Sequence, residues 1–528
     1  MSVGPLRDDG AVLFVELATT SAAVGATRSR LAKRALLATA IRSADPDEID
    51  LVVTYLSGSL RQRRTGVGWS SLSSLPSPAA EPTLTVRAVD DAFEAIAEIG
   101  GAGSAALRAA AVEQLFARAT PDEQRLLCGL VFDEIRQGAL DSLVQDGLAE
   151  AFGVPAAAVQ RASMLLGSTA AAARLLAATG LDGLTAVGLQ VGVPVRPMLA
   201  AAAPDPAAAV EKSGLPALVD TKLDGIRVQV HRDGEQIRLY TRSLDDITDR
   251  LPDIVTLVAS LPARRLVLDG EVLAVDAAGR PVPFQQIAAR TATRTVTESA
   301  TAGPPLPLTL FCFDLLHVDG RDLLDEPLAE RAAVMQSVLP AELIVPRSVA
   351  PDVDAVQDAF AAAVRAGFEG AVVKKLHAPY AAGRRDSGWI KLKPRHTFDL
   401  AVIGAEWGYG RRTGWLSNLH LAARDSRTGE LVMLGKTFKG LTDAMLTWQT
   451  EQFLARESRR TKTTVFVDPP LIAEIAFDGV QASTRYPGGV ALRFARVVQY
   501  RDDKTVDEVD TLDAVIAVGS PVPEPKPS

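Results

Sequence analysis

Near residue 190 the hydrophobic pattern of this 528-residue chain changes period, and that change constrains its fold more than any other feature. Before it, apolar residues recur at helical spacing. Leu31, Leu36 and Leu37 stand among basic residues, and Leu126, Leu127, Leu130, Val131 and Ile135 follow Thr120-Pro-Asp-Glu123, a capping-box pattern. Asp45-Pro-Asp-Glu48 reads as an N-cap, a first-turn proline and acids suited to the helix dipole. Leu140, Leu143, Val144 and Leu148 carry the helical spacing to a stop at Gly153 and Pro155. After residue 190, alternation takes over: from Ile226 to Tyr240 apolar and polar residues alternate on both sides of Asp233-Gly234, a hairpin signal. Strand-like runs follow at 266–275, 308–318, 370–376 and 389–393, with helical patches between them. From Phe398 the runs shorten to 400–405, 419–423, 431–434, 471–476 and 491–500, and five short strands suit a small barrel such as the OB-fold.

The chain is too long for one hydrophobic core, and its length predicts about three domains. The expected fold class is multidomain: an all-α unit over 1–187, an α+β unit over 188–395, a β-barrel over 396–517 and a disordered Pro-rich tail over 518–528. Loops are expected at 70–82 and 295–307. The Ala-rich stretch 170–191 is broken by Arg174 and glycines, which argues against a membrane span, and the first residues lack the order of a secretion signal. A cytoplasmic monomer is expected. Two cysteines, Cys128 and Cys312, exclude a disulfide framework and a four-cysteine zinc site. The net charge of −8 excludes a uniformly basic surface, yet nine Lys or Arg stand against three acids between Lys374 and Arg412, and Arg61, Arg63 and Arg64 form a small basic cluster.

Lys222-Leu-Asp-Gly225 places a lysine beside a tight glycine turn, where it can act as a nucleophile if its surroundings favour the neutral amine. Alone, that tetrapeptide also fits a solvated strand edge. In Leu266-Val-Leu-Asp-Gly-Glu-Val-Leu, period two puts Asp269 and Glu271 on one face amid aliphatics, and Glu369 opens the apolar strand Glu369-Gly-Ala-Val-Val-Lys374. Two carboxylates are what a magnesium-dependent phosphoryl site needs, although each could also serve an ion pair. In Trp389-Ile-Lys-Leu-Lys393 the lysines at i and i+2 face the same way. An anion such as a triphosphate relieves their repulsion, and they would depress the pKa of a third lysine in the same pocket.

These residues, in this order over about 194–505, resemble the nucleotidyltransferase superfamily of ATP-dependent DNA ligases, RNA ligases and capping enzymes. Lys222-Leu-Asp-Gly-Ile-Arg227 resembles its adenylylation motif; Leu268-Asp-Gly-Glu271, Phe311-Cys-Phe-Asp-Leu-Leu316, Glu369 to Lys374, Trp389 to Lys393 and Arg501-Asp-Asp-Lys504 resemble the motifs that follow. The resemblance implies ATP and Mg²⁺ as cofactors and Lys222 as the residue that takes AMP. Asp220 would lie against adenine, where the family usually carries Glu. Arg227 and Arg242 would hold ribose and phosphate, and Phe313 would stack on the base. Glu271 and Glu369 would serve ribose and metal, Arg385 the nucleotide or nick phosphate, and Lys391 with Lys393 the α-phosphate. Arg501 and Lys504 would orient the leaving pyrophosphate when the barrel closes.

Within the superfamily, the helical region decides the substrate. Tyr55 to Gly68 and Phe132 to Leu140 resemble the DNA-binding domain ahead of the core in larger DNA ligases, and helix N-termini and Gly-rich turns can grip phosphates without base readout. The expected partner is nicked duplex DNA, contacted by Arg61, Arg63 and Arg64 and by Lys436 and Lys439 of Met433-Leu-Gly-Lys-Thr-Phe-Lys-Gly440. The alternatives are an RNA ligase, a capping-type enzyme and, from another class, an inactive DNA-binding scaffold. NAD-dependent ligases carry a cysteine zinc module that two cysteines cannot supply.

Overall fold

A computed structural model describes residues 12–62, 65–72, 74–101, 103–132, 134–135, 137, 141–276, 279–282, 286–287, 307–381 and 388–519. Helices from Phe14–Ala26 through Thr169–Thr185 enclose one core that includes Phe14, Leu37, Tyr55, Phe93, Phe116, Leu127 and Leu148. Thr120 stands at the N-cap of Pro121–Val131 as read, and its own N–H donates to Glu123 at 2.8 Å. Asp45 and Pro46 do not start a helix. The N–H of Asp47 turns back onto Asp45 at 2.9 Å, and the helix begins at Ile49. Among the described residues no single helix is long and apolar enough to cross a membrane; Ala156–Leu165 and Thr169–Thr185, apolar together, meet at 119°.

Among the described residues the middle region forms two sheets. Its strands are β1 Ala201–Ala202, β2 Ala217–Lys222, β3 Ile226–Asp233, β4 Gln236–Thr241, β5 Arg265–Leu273, β6 Thr309–Val318, β7 Arg321–Asp322, β8 Arg347–Ala350, β9 Gly370–Lys375 and β10 Trp389–Leu392. The first sheet runs β1-β10-β9-β2-β8 and the second β4-β3-β5-β6-β7. Gly234, at φ +61°, makes the expected β3–β4 turn. In the first sheet Ala217, Val219, Ala371, Val373, Ile390 and Leu392 pack against the helices Pro206–Ser213 and Val353–Arg365. Period two therefore turns Asp220, Lys222, Val372, Lys374, Lys391 and Lys393 to the other face. Beneath the second sheet, fully buried Arg331 of helix Leu328–Val338 donates to Asp314 at 2.7 and 2.9 Å and fixes the strand that carries Phe313.

The C-terminal barrel adds β11 His396–Trp407, β12 Leu416–Arg424, β13 Leu431–Thr437, β14 Glu457–Arg460, β15 Thr464–Phe477, β16 Gly479–Ala482, β17 Val490–Arg493 and β18 Arg496–Tyr500. Its sheet runs β13-β12-β11-β15-β14, with β18 also on β15. The run 491–500, expected as one strand, is two. Phe494 takes φ +56°, so β17 pairs with β16 while β18 joins the barrel. The last helix, Leu512–Gly519, runs past the expected boundary at 517.

One glycine fixes the meeting of β9 and β10. Gly370 lies opposite Lys222 at φ +139°, and a Cβ there would stand 2.2 Å from the Leu392 carbonyl oxygen. Gly370→Ala should lower the unfolding free energy by about 2–4 kcal/mol in urea melts. Gly435→Ala, whose new methyl meets nothing nearer than 3.9 Å, should change little. Equal effects of the two would show that the β9–β10 approach is not tight.

Candidate active site

Between the two sheets lies a cavity of about 1030 Å³, lined by Asp220, Lys222, Arg242, Glu271, Phe313, Lys391, Lys393 and others. Lys222 ends β2, and the chain turns through Leu223 to Gly225 before entering β3. The turn must pass close to β5: a Cβ on Gly225 would meet the Val272 carbonyl oxygen at 2.4 Å. The Gly225 N–H donates to Glu271 at 3.1 Å, which ties the lysine turn to the second sheet.

Charge is concentrated around Lys222. The N–H of Glu369 donates to the Lys222 carbonyl at 3.1 Å, and the Glu369 carboxylate forms ion pairs with both Lys222 and Lys393. Burial pushes the Glu369 carboxyl up, but the two lysines more than offset it and hold it below the usual range. Repulsion among the lysines shows at Lys391, whose amine is lowered by burial and then by Lys393 and Lys222. Glu271 behaves oppositely. Burial raises its carboxyl to about 7, against the pull of Lys222 and Arg227.

The inner wall is aromatic. Phe313 and Trp389 meet edge to face with centroids 5.7 Å apart, and the Lys374 amine lies 4.2 Å from the Trp389 ring centroid. Arg227, expected at ribose and phosphate, is already committed: it donates to Asp269 at 2.9 and 2.6 Å and to the Met198 carbonyl at 2.8 Å. Asp269 also accepts from Tyr380 at 2.7 Å. It is therefore a buried anchor for Arg227, whereas Glu271 on the same strand face reaches the cavity. Asp220 is 2% exposed and forms ion pairs with Lys374 at 2.6 Å and Arg347 at 2.8 Å. Arg242 is exposed at the rim, with no ion pair among the described residues.

The barrel covers one side of the mouth. Arg493 donates to Asp224 in the lysine turn at 2.7 Å, Asp478 lies 3.3 Å from Lys393, and the Phe494 ring lines the cavity. Arg501 and Lys504 do not line it. Both pair with Asp399 at the base of the barrel, at 3.0 and 2.5 Å.

A lysine amine against a carboxylate, two further lysines, a second carboxylate and an aromatic wall together suit transfer of a nucleotide from a triphosphate to the amine. Comparison with known proteins points the same way. Residues 197–393 match the family described as "ATP dependent DNA ligase domain", 412–504 the "ATP dependent DNA ligase C terminal region" and 70–149 the "DNA ligase N terminus". A curated "Probable DNA ligase" of Nocardioides sp. is 57% identical over 96% of this chain and 99% of its own length. The chain belongs to the ATP-dependent DNA ligase family. Ligase relatives from Beutenbergia cavernae, at 57%, and Mycobacterium marinum, at 50%, each match 96% of this chain and at least 99% of their own. A solved structure described as Pmar-Lig_PreS3 shares the fold, with a TM-score of 0.61 and 18% identity over 92% of this chain and 99% of that one.

The structure brings together Asp220, Lys222, Arg227, Arg242, Glu271, Phe313, Lys391 and Lys393 of the expected ligase site, with Glu369 beside the lysine. It keeps Arg501 and Lys504 apart from it. Arg385, Arg63 and Arg64 lie outside the described residues. Arg61 is committed to Asp90 and Glu94, both at 2.8 Å, and Lys436 to Glu406; Lys439 is exposed, 5.3 Å from the Phe494 ring centroid. Sequence reasoning missed Lys374, Arg347 and the Asp224–Arg493 contact. A lysine inside the apolar run Ala371 to Lys375 was the available signal for Lys374. Arg347 gave none.

The donor set fits a magnesium ion. Among the described residues Glu271 is a half-buried carboxylate with no directly paired cation, and no group of three acids, histidines or cysteines forms a cage. An ion held by one or two carboxylates and shared with a triphosphate matches that arrangement.

The raised carboxyl of Glu271 also sets a pH dependence. The folded protein binds this proton more tightly than the unfolded chain, so the group's contribution to stability is full below its ordinary value of 4.5 and is lost as pH rises to about 7. Glu271→Gln should flatten that loss in the nucleotide-free protein, gaining roughly 2–3 kcal/mol relative to wild type between pH 5 and 7.5 in urea titrations. Parallel pH profiles would remove the strained carboxyl.

Proposed function

We propose that this chain seals nicks in duplex DNA through an AMP carried on Lys222. The observation that carries this reading is the Lys222 amine, in contact with Glu369 and facing one cavity with Lys391, Lys393 and Glu271. In the first step Nζ attacks the α-phosphorus of ATP. An N–P bond forms, the bond to the β-phosphate oxygen breaks, and pyrophosphate leaves with the electron pair. Glu369 is the carboxylate in contact with the amine and the nearest acceptor for its proton. Lys391 and Lys393 face the developing charge on the phosphate oxygens, where cations in a partly desolvated site stabilise the transition state most. Glu271 would hold a magnesium ion beside these lysines, and that ion would supply further charge neutralisation. The 5′-phosphate of the nick then takes AMP from Lys222, and the adjacent 3′-hydroxyl displaces AMP to close the strand. Nucleophile, carboxylates and cations all come from one chain, so a monomer suffices.

The helical region and the barrel are the parts that would hold duplex. Arg501 and Lys504 belong to the same reading only if the barrel turns to bring them over the cavity. Domain closure of that kind is a common way for enzymes to complete a site on substrate.

Incubation with α-labelled ATP and Mg²⁺ should label wild type, and Lys222→Ala should take no label and seal no nick. Lys222→Ala should still close a nick that already carries 5′-AMP. Labelling of Lys222→Ala to the wild-type level would overturn the assignment, and sealing of RNA but not DNA would move the chain to an RNA ligase.

A further inference from the structure

At the inner end of the cavity, Asp220 offers one carboxylate oxygen and withholds the other. Its Oδ2 takes both Lys374 and Arg347, at 2.6 and 2.8 Å. Its Oδ1 is buried and has no hydrogen-bond partner, although Asp220 lines the cavity. Arg347 lies directly across from Asp220 in the β2–β8 register and does not line the cavity itself. The same Nη2 that holds Asp220 also donates to the Phe313 carbonyl at 2.9 Å, and Lys374 donates to that carbonyl at 3.1 Å. Arg347 thus bridges the acid at the edge of the base pocket and the backbone of the residue that forms its wall. Its Nε and Nη1 have no partners despite burial. Unpaired buried donors are costly, and a side chain retained only to fill space would not carry them.

We propose that Arg347 is a positioning residue that makes this site select adenine over a 6-oxo purine. The proposal rests on the reading of the cavity as the ATP site. With Oδ2 taken by two cations, Oδ1 is the acceptor left without a partner at the inner end of the cavity. Adenine presents an N6 amine donor, whereas guanine and hypoxanthine present an O6 acceptor. Acceptor then faces acceptor in a buried setting, where an unpaired polar group cannot turn to water. Sites built on one required hydrogen bond discriminate far more strongly than sites that sense shape alone. Removing Arg347 frees the Asp220 carboxylate to rotate about its remaining contact with Lys374, and Oδ2 regains a free lone pair. The acceptor at the edge of the pocket then loses its fixed position, on which the discrimination depends, while Lys222, Glu369 and Lys391 keep theirs.

The test compares kcat/KM for self-adenylylation with ATP and with inosine triphosphate, which differ at the 6-position by amine and carbonyl. Wild type should prefer ATP by on the order of 10²-fold or more, and Arg347→Met should reduce that ratio at least about tenfold, chiefly by raising KM for ATP. Arg347→Lys, too short to bridge Asp220 and the Phe313 carbonyl together, should fall between them. If Arg347→Met does not fold, the Arg347→Lys ratio decides. A variant ratio equal to that of wild type, whether or not both rates fall together, overturns the proposal, because a purely structural loss lowers both nucleotides alike. Failure of wild type to label with ATP would instead sink the ATP reading of the cavity.

Discussion

The antiparallel register of β2 against β9 is the constraint from which the site follows. With Lys222 opposite Gly370, Asp220 falls opposite Val372, and Val372 in turn opposite Lys391. The cavity face of the sheet then reads as rows: Arg347, Asp220, Val372 and Lys391 in one, with Lys374 and Trp389 paired in the next. A slip of one residue would exchange this face for Ala371, Val373 and Ile390, which pack against helices. At Gly370 only a residue without Cβ lets Leu392 of β10 approach so closely, and Glu369 arrives beside Lys222 by its backbone as much as by its charge.

Charge around the cavity is balanced locally. Glu369 answers two lysines, Asp220 answers Lys374 and Arg347, and Asp269 answers Arg227. Lys391 and Arg242 have no such carboxylate among the described residues, and they are the cations left for a bound anion. Among the described residues, Glu271 is the cavity acid without a directly paired cation. The surplus charges of both signs therefore face the space where a triphosphate and a metal ion would neutralise them.

Much of this was legible in the sequence, because it depended on period and spacing within short segments. The Asp233-Gly234 hairpin, the shared face of Asp269 and Glu271 and the paired Lys391 and Lys393 each follow from alternation along one strand. What was not legible depended on strands brought together from far apart. Arg347 and Asp220 are 127 residues apart, and Arg493 and Asp224 are 269 apart. Arg227 reads as a ligand contact until Asp269 is placed across from its neighbour Gln229 in the β3–β5 register. The run 491–500 has the composition of one strand, and only the positive φ of Phe494 divides it. Arg61 and Lys436 looked like free cations because their acidic partners lie on other elements.

The break at Phe494 has a mechanical meaning. Arg493, which grips the lysine turn, and Phe494, which covers the mouth, are consecutive residues on one short ribbon, with the barrel strand β18 following at once. Uncovering the cavity and separating the Arg493–Asp224 charges are thus one motion rather than two. The barrel cannot swing to admit a large substrate without releasing the turn that carries Lys222, so the freedom of the nucleophile and the position of the outermost domain are coupled through a single pair of neighbours.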